Sequence, residues 1–519
     1  MGEIMITKTV NQLIEEKASI MRDYPIIIDG DETVTYGNLY GMINKVSNSL
    51  LYLNIQEGDR VLLIGYNSVR WLYVFFAVMN INAIPIPVNA ENGTEELINI
   101  LMDTRPRAIF FSSKYKNNDL LAVVTSSIIN SSNKDIYCVL FEDLDENDTF
   151  INWSQFLATR TTNKQNKSKN GLYCIQYTSG STGLPKGVML SQYAVLNNGF
   201  HTGEALHLDK SDKMCLAVPL FHCFGNVLAL LSCLTHDTQI VLVDYYSPRK
   251  TYNIIAEKKC TVFFGVPTMY ILMMGLPAFD KEKIASLKKG VVAGATVPEQ
   301  LMKKIATAFS IPYLISGYGM TETSPGCTIS DIYLPEIIRF NSVGTAFPGV
   351  DIKIIDLHSG AEVEDNEIGE LIVKGYNLME GYYNYSETII DGNGWLHTGD
   401  LAVVSNGYYR IVGRRKDVII KGGENIAPLE IENILCTHKL IKDAVVVGIE
   451  DDLYGEEVAA ALIVEDEISD TEIITLLQGK LAKFKIPKYF VRFKEFPCSA
   501  SGKVLRGVVK ELCRQSLSI

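Results

Sequence analysis

The densest chemistry in the chain lies in Tyr177-Thr178-Ser179-Gly180-Ser181-Thr182-Gly183-Leu184-Pro185-Lys186-Gly187. Thr178, Ser179, Ser181 and Thr182 offer hydroxyls, Gly180 and Gly183 let the backbone approach a ligand and expose its N–H groups, and Lys186 adds charge. Such a set suits a polyphosphate. A Walker A loop needs G-x-x-x-x-G-K-[ST], but counted from Gly180 the second glycine is replaced by Pro185, and Gly187 follows Lys186. A nucleophile elbow, G-x-S-x-G, fails because the register around Ser181 opens with Ser179. A flexible Ser/Gly linker is the plain alternative, and Pro-Lys-Gly after the strand-like LYCIQY speaks against it.

The stretch TSGSTGLPKG resembles the phosphate loop of the adenylate-forming superfamily, which comprises acyl- and aryl-CoA ligases, peptide-synthetase adenylation domains and luciferases. Further segments follow in that family's order. VAGATVP (292–298) and SGYGMTE (316–322) are similar to its adenine-binding segment and Thr-Glu motif. GWLHTGD (394–400), GRRKDVIIKGGENI (413–426) and ASGK (500–503) are similar to its ribose-binding aspartate, hinge and C-terminal lysine.

The resemblance implies a role for each matched residue. Thr178, Ser179, Gly180, Ser181, Thr182, Gly183 and Lys186 would bind the ATP phosphates. Gly294, Ala295, Tyr318 and Gly319 would line the adenine, and Glu322, beside Thr321, would hold Mg²⁺, a hard cation content with one carboxylate plus water and phosphate. Asp400 would accept both ribose hydroxyls. Arg414 would reach the ribose or α-phosphate as a fork of donors. Lys503 would stabilise the charge that develops when a carboxylate attacks the α-phosphorus. His222, in PLFHCFG (219–225), would lie beside that carboxylate and the thiol's path. Lys416 would be the hinge, and Gly422 and Gly423 would leave room for a pantetheine arm. Each residue also has an ordinary reading: a solvated acid, a turn aspartate, a charged run at Arg414-Arg415-Lys416, an exposed lysine, a packed histidine. One departure stands near Lys503, where Pro497 is followed by Cys498 and Ser499 rather than by the family's basic residue.

Among the branches, amino-acid adenylation domains carry an aspartate near His222, but His222-Cys223-Phe224-Gly225-Asn226 holds no acid. No carrier domain follows before Ile519. LFHCFG and KFKIPKY (483–489) look more like fatty acyl-CoA ligases than aryl ones. The expectation is a free-standing ligase that uses ATP and Mg²⁺ to make acyl-AMP and pyrophosphate, then a thioester with coenzyme A. An acyl- or aryl-AMP ligase that loads a phosphopantetheinylated acyl carrier protein is the alternative. A hydrolase using Ser181 and a catalytically silent nucleotide-binding module remain as readings of other classes.

The elements that must position these groups follow from hydropathy. Leu39, Ile43, Val46, Leu50 and Leu53 mark a helix over 36–53. Strand-like RVLLIGY (60–66), an apolar segment (72–81), IPIPVN (84–89), a helical stretch (95–105) and AIFF (108–111) alternate as parallel strands with crossovers do. RTTNKQNKSKN (160–170) reads as an exposed loop. Beyond GRRKD the texture shifts to short strands, AVVVGI, AAALIV and YFVRF, with helices expected at 471–484 and 503–517. The expected fold class is α/β: a large layered body over 1–412, a hinge at 413–416 and a small α+β lid over 417–519.

Composition sets the limits. The 519 residues hold 60 acidic and 48 basic side chains, a net charge of -12, which argues against a nucleic-acid partner. Apolar residues make up 47% and charged ones 21%, enough for a large core. The apolar run Val227–Leu234 is too short to span a membrane. No basic patch leads an apolar block at the N-terminus, and the ten cysteines form no CxxC pair. A cytoplasmic enzyme with reduced thiols is expected.

Overall fold

The computed structural model describes residues 4–131, 135–145, 149–158, 171–178, 185–295, 297–422, 424–497 and 504–517. The expected alternation is present from the first helix onward. Helix Tyr36–Tyr52 buries Leu39, Ile43, Val46 and Leu50 along one stripe. Strands Arg60–Ile64, Ile84–Val88 and Ala108–Phe111 alternate with helices Val69–Asn80 and Thr94–Thr104. With Tyr137–Leu140 these strands form an all-parallel sheet. Ala108–Phe111 is buried throughout, as expected for a strand covered on both faces.

A nine-stranded sheet is the second sheet of the body. Its parallel run goes Pro25–Asp29, Gln239–Leu242, Lys213–Leu216, Val262–Gly265, Lys289–Val292, Tyr313–Tyr318. Antiparallel strands Thr328–Ile329 and Thr345–Ala346 extend it at one edge. The hairpin Leu172–Thr178/Lys186–Ser191, joined by Gly381–Tyr382, makes a small third sheet. Strands Val350–Ile355, Gly369–Gly375, Leu396–Ser405 and Tyr408–Arg414 make an antiparallel fourth. Phe224–Ala229, a π-helical turn, and Leu230–His236 follow Lys213–Leu216, so His222 lies beyond the carboxyl end of one parallel strand and Tyr318 at the carboxyl end of another. Ligands of open α/β sheets bind at that edge.

After a one-turn helix at Arg415–Asp417 the chain enters a separate sheet of strands Ile419–Lys421, Glu424–Ile426, Ile441–Asp451, Gly455–Val464 and Tyr489–Arg492. Strand Gly455–Val464 sends Val458, Ala460 and Leu462 into one apolar cluster and Ala459 and Ala461 into another, the two-residue period of a strand covered on both faces. The helix expected over 471–484 is only Asp470–Leu477. Gly479, at φ 80°, turns the chain just past the helix end, where a residue without Cβ is favoured. A separate turn, Lys483–Lys485, follows. The last helix begins at Arg506 rather than near 503.

Candidate active site

Thr178 and Lys186 face each other across the hairpin, and the Thr178 hydroxyl donates to the Lys186 carbonyl at 3.4 Å. Lys186 Nζ lies 2.7 Å from Glu387 Oε2 and 5.2 and 5.7 Å from the ring centres of Tyr382 and Tyr385. Tyr382, on the strand paired with the same hairpin, donates its hydroxyl to Glu322 Oε1 at 2.9 Å. Burial, followed by the nearby Glu322 charge, raises the Tyr382 phenol above its ordinary pKa. Glu322 sits in the one-turn helix Thr321–Thr323 at 8% exposure, so its carboxylate depends on that hydroxyl. The lysine of the phosphate loop and the acid of the Thr-Glu motif thus meet on one tyrosine, the lysine over its ring and the acid at its hydroxyl.

A second cluster forms where Leu396–Ser405 pairs with Tyr408–Arg414. Asp400 and Arg414 are cross-strand partners, with Arg414 Nε 3.2 Å from Asp400 Oδ1. The Tyr318 hydroxyl donates to Asp400 Oδ2 at 2.6 Å. Burial, then the Asp400 charge, holds the Tyr318 phenol well above its usual pKa, so it remains a donor. Each carboxylate oxygen has a second lone pair, which leaves Asp400 able to accept the two hydroxyls of a ribose. Glu370 lies beneath. Its Oε1 accepts the Gly399 N–H at 3.1 Å and its Oε2 accepts Arg415 Nη1 at 3.0 Å. Sequence reading missed Glu370; the signal was an acid in the otherwise apolar strand GELIVKG, where a charge must be paired.

His222 is exposed yet surrounded by protein, the signature of a side chain in a recess, and this enclosure lowers its pKa from 6.5. The Phe224 N–H donates to Nδ1 at 3.2 Å, which places the neutral ring's own proton on Nε2. The neighbouring Cys223 Sγ is 3.6 Å from Thr321 Oγ1, joining the His222 loop to the Thr-Glu turn. Burial pushes the Cys223 thiol up to about 12. Gln176 fixes the same loop to the hairpin strand: its Nε2 donates to the Phe221 carbonyl at 2.7 Å, and its Oε1 accepts Asn226 Nδ2 at 3.3 Å.

Gly294, at φ 84°, and Ala295 are exposed where the chain leaves Lys289–Val292. Gly319 is exposed too, and a Cβ there would stand 1.8 Å from the Pro325 carbonyl oxygen. Lys416 is exposed in the turn after Arg414. Gly422, at φ 59° in the terminal domain, donates its N–H to the Tyr454 carbonyl at 2.8 Å. Ser179, Gly180, Ser181, Thr182, Gly183, Gly423 and Lys503 lie outside the described residues. Among the described residues no group of three or more His, Cys, Asp or Glu could enclose a metal. A single buried carboxylate such as Glu322 fits Mg²⁺ that takes its remaining oxygens from phosphate and water.

The family model for AMP-binding enzymes matches residues 14–383, and the model for their C-terminal domain matches 430–503. The chain belongs to the AMP-binding, adenylate-forming enzymes. YngI of Bacillus subtilis (strain 168), provisionally named an acyl-CoA synthetase, is 33% identical over 98% of this AMP-binding enzyme and 97% of its own length. The human mitochondrial medium-chain acyl-CoA ligase ACSF2 is 31% identical over 99% of this chain and 89% of its own. Among solved structures, ATP-bound MatB from Rhodopseudomonas palustris matches with a TM-score of 0.85 at 25% identity, covering 98% of this chain and all of that one. The AMP-binding enzyme therefore has the expected α/β architecture, a large body and a smaller C-terminal domain.

Proposed function

We propose that this AMP-binding enzyme is an acid–thiol ligase: it joins a carboxylic acid, by our reading a fatty acid, to ATP and then to coenzyme A. One observation carries the reading. A single turn, from Tyr318 to Thr323, reaches Asp400 through Tyr318 and the Lys186 side chain through Glu322 and Tyr382. Groups suited to a ribose and to a polyphosphate therefore stand on one short segment, spaced as parts of one nucleotide site.

In the first half-reaction a carboxylate oxygen attacks the α-phosphorus, and the bond to the bridging oxygen of pyrophosphate breaks. Lys186 and the phosphate loop hold the departing pyrophosphate, while Asp400 and Tyr318 fix the nucleoside. Mg²⁺, held by Glu322 when it arrives with ATP, would neutralise phosphate charge. Two anions must meet, so the positive potential of Arg414 and Lys503 acts where charge develops. Neutral His222 offers its Nε2 proton beside the carboxylate. In the second half-reaction the thiol sulfur attacks the acyl carbonyl and AMP leaves. Between the halves the terminal domain turns about Lys416, withdrawing Lys503 and bringing Gly422 and Gly423 to the thiol path, a gating step.

The nine described cysteines are free thiols, which supports a cytoplasmic setting. No helix among the described residues is long and apolar enough to cross a membrane. The test is pyrophosphate release from the purified protein across fatty, aryl and short-chain acids, with coenzyme A or a phosphopantetheinylated carrier protein as acceptor. Release that depends on a fatty acid, with thioester formed on coenzyme A, is expected. Transfer to the carrier alone would replace the acceptor in this reading, and no release with any acid would defeat it.

A further inference from the structure

Lys186 does not present a bare ammonium to its surroundings. Its Nζ is engaged by the Glu387 carboxylate at 2.7 Å and by the faces of Tyr382 and Tyr385. The two partners differ in burial. The Lys186 side chain is 30% exposed, whereas that of Glu387 is 77% exposed, on the segment that follows strand Gly381–Tyr382. The lysine is fixed by aromatic packing, and the carboxylate is the movable half. The hydrogen bond and charge of Lys186 in turn hold the Glu387 carboxyl below its ordinary pKa, so Glu387 is an anion at neutral pH.

We propose that Glu387 is an internal counter-anion competing with the β- and γ-phosphates of ATP for Lys186, and that it thereby sets the enzyme's affinity for ATP. The inference rests on the reading of Lys186 as a phosphate-binding residue. A polyphosphate brings several negative oxygens to a point where one carboxylate already sits 2.7 Å away. Both anions cannot keep that position: sharing a single ammonium, they repel. The Glu387 carboxylate is displaced because solvent reclaims an exposed side chain at little cost, whereas Lys186 stays over the tyrosines. Displacement still removes one ion pair from the binding balance. Exposed ion pairs contribute little, which bounds the effect at about two- to fivefold in affinity. Being electrostatic and near the surface, the effect must also fade with salt.

The test uses the full chain and the variants Glu387→Gln and Glu387→Ala, titrated calorimetrically with MgATP and with adenosine. Both variants are expected to bind MgATP about two- to fivefold more tightly in about 0.02 M salt, with the gain shrinking in about 0.5 M. Adenosine affinity should stay as in the parent, because no phosphate is involved. In acid-dependent pyrophosphate release the KM for ATP falls while kcat moves less, the pattern of a ground-state binding effect. In a Lys186→Met background the gain should vanish. Unaltered or weaker MgATP binding in both variants overturns the role of Glu387, as does an equal gain for adenosine. If Lys186→Met itself leaves MgATP affinity unaltered, the reading of Lys186 falls and takes the inference with it. If Lys186→Met weakens MgATP but the Glu387 variants do not tighten it, only the inference falls.

Discussion

At the residue scale the arrangement around Asp400 makes the strongest demand. Its two oxygens already accept from Tyr318 and face Arg414, and the proposed ribose must use what capacity remains. Asp400→Asn would keep the shape but turn one acceptor into a donor, aimed either at the tyrosine hydroxyl or at the guanidinium. A hydrogen bond to a charged group contributes about 1.5–3 kcal/mol, so the KM for ATP should rise about tenfold or more. The parent should bind ATP more tightly than its 2′,3′-dideoxy analogue, and the variant should bind the two alike; retained discrimination would remove Asp400 from the ribose. His222 makes a separate demand through its titration. Its folded pKa lies below 6.5, so the unfolded chain takes up the proton first as pH falls. Its share of stability is therefore present above 6.5 and lost as pH drops through the window below it. The imidazole NMR signal should titrate with a midpoint under 6.5, and His222→Gln should lessen the loss of stability on the acid side. A midpoint at or above the ordinary value would mean the recess does not desolvate the ring.

At the element scale, turns do the positioning. Gly319 lies between Tyr318 and the Thr-Glu helix, where the chain comes so close to Pro325 that a Cβ would sit 1.8 Å from its carbonyl oxygen. Gly319→Ala must push that backbone away, at a cost of about 1–3 kcal/mol. The same shift should move Tyr318 and Glu322 off their partners, so urea midpoint and ATP affinity are expected to fall together. Stability lost with ATP binding intact would show that the turn does not position the site. The helices and strands between residues 36 and 111 were legible because apolar period records burial, as Leu39, Ile43, Val46 and Leu50 do on helix Tyr36–Tyr52. The helix expected over 471–484 stops at Leu477, and the turn at Gly479 that follows is a local backbone conformation rather than a matter of hydropathy. The site was legible in its motif residues, through resemblance, but not in the groups that hold them. Tyr382 reaches Glu322 across 60 residues of sequence and Glu387 reaches Lys186 across 201. No local pattern encodes such a pairing; it exists only once separate sheets have packed. Glu370 could have been suspected, since an acid inside GELIVKG needs a partner, but nothing in the sequence names Arg415 as that partner.

At the scale of the whole molecule, the proposed chemistry divides between two bodies with separate cores. Lys186, Tyr318, Asp400 and Arg414 belong to the sheets of the large body and Glu322 to a turn between them, while the residues that follow Lys503 are built into the terminal domain. Val504 packs against the apolar cluster that holds Val445 and Val447, and Arg506 is ion-paired with Glu432 and with Asp417 at 3.6 Å. On the proposed reading, Lys503 travels with this domain. The overall charge of -12 sharpens the need for it: a protein that is acidic overall, handling ATP and coenzyme A, must concentrate positive potential locally and only when phosphate charge is developing. If the terminal domain supplies Lys503 for the first half-reaction and withdraws it for the second, the two halves must respond differently to its loss. Lys503→Ala should cut acid-dependent pyrophosphate release by about 10²–10³-fold, the usual loss when a preorganised charge stabiliser is removed. Thioester formation from preformed acyl-AMP and coenzyme A should stay within a fewfold of the parent rate, because the thiol's attack occurs with the lysine elsewhere. Equal loss of both steps would mean that one arrangement of the two domains serves the whole reaction, and the proposed turn about Lys416 would have no work to perform.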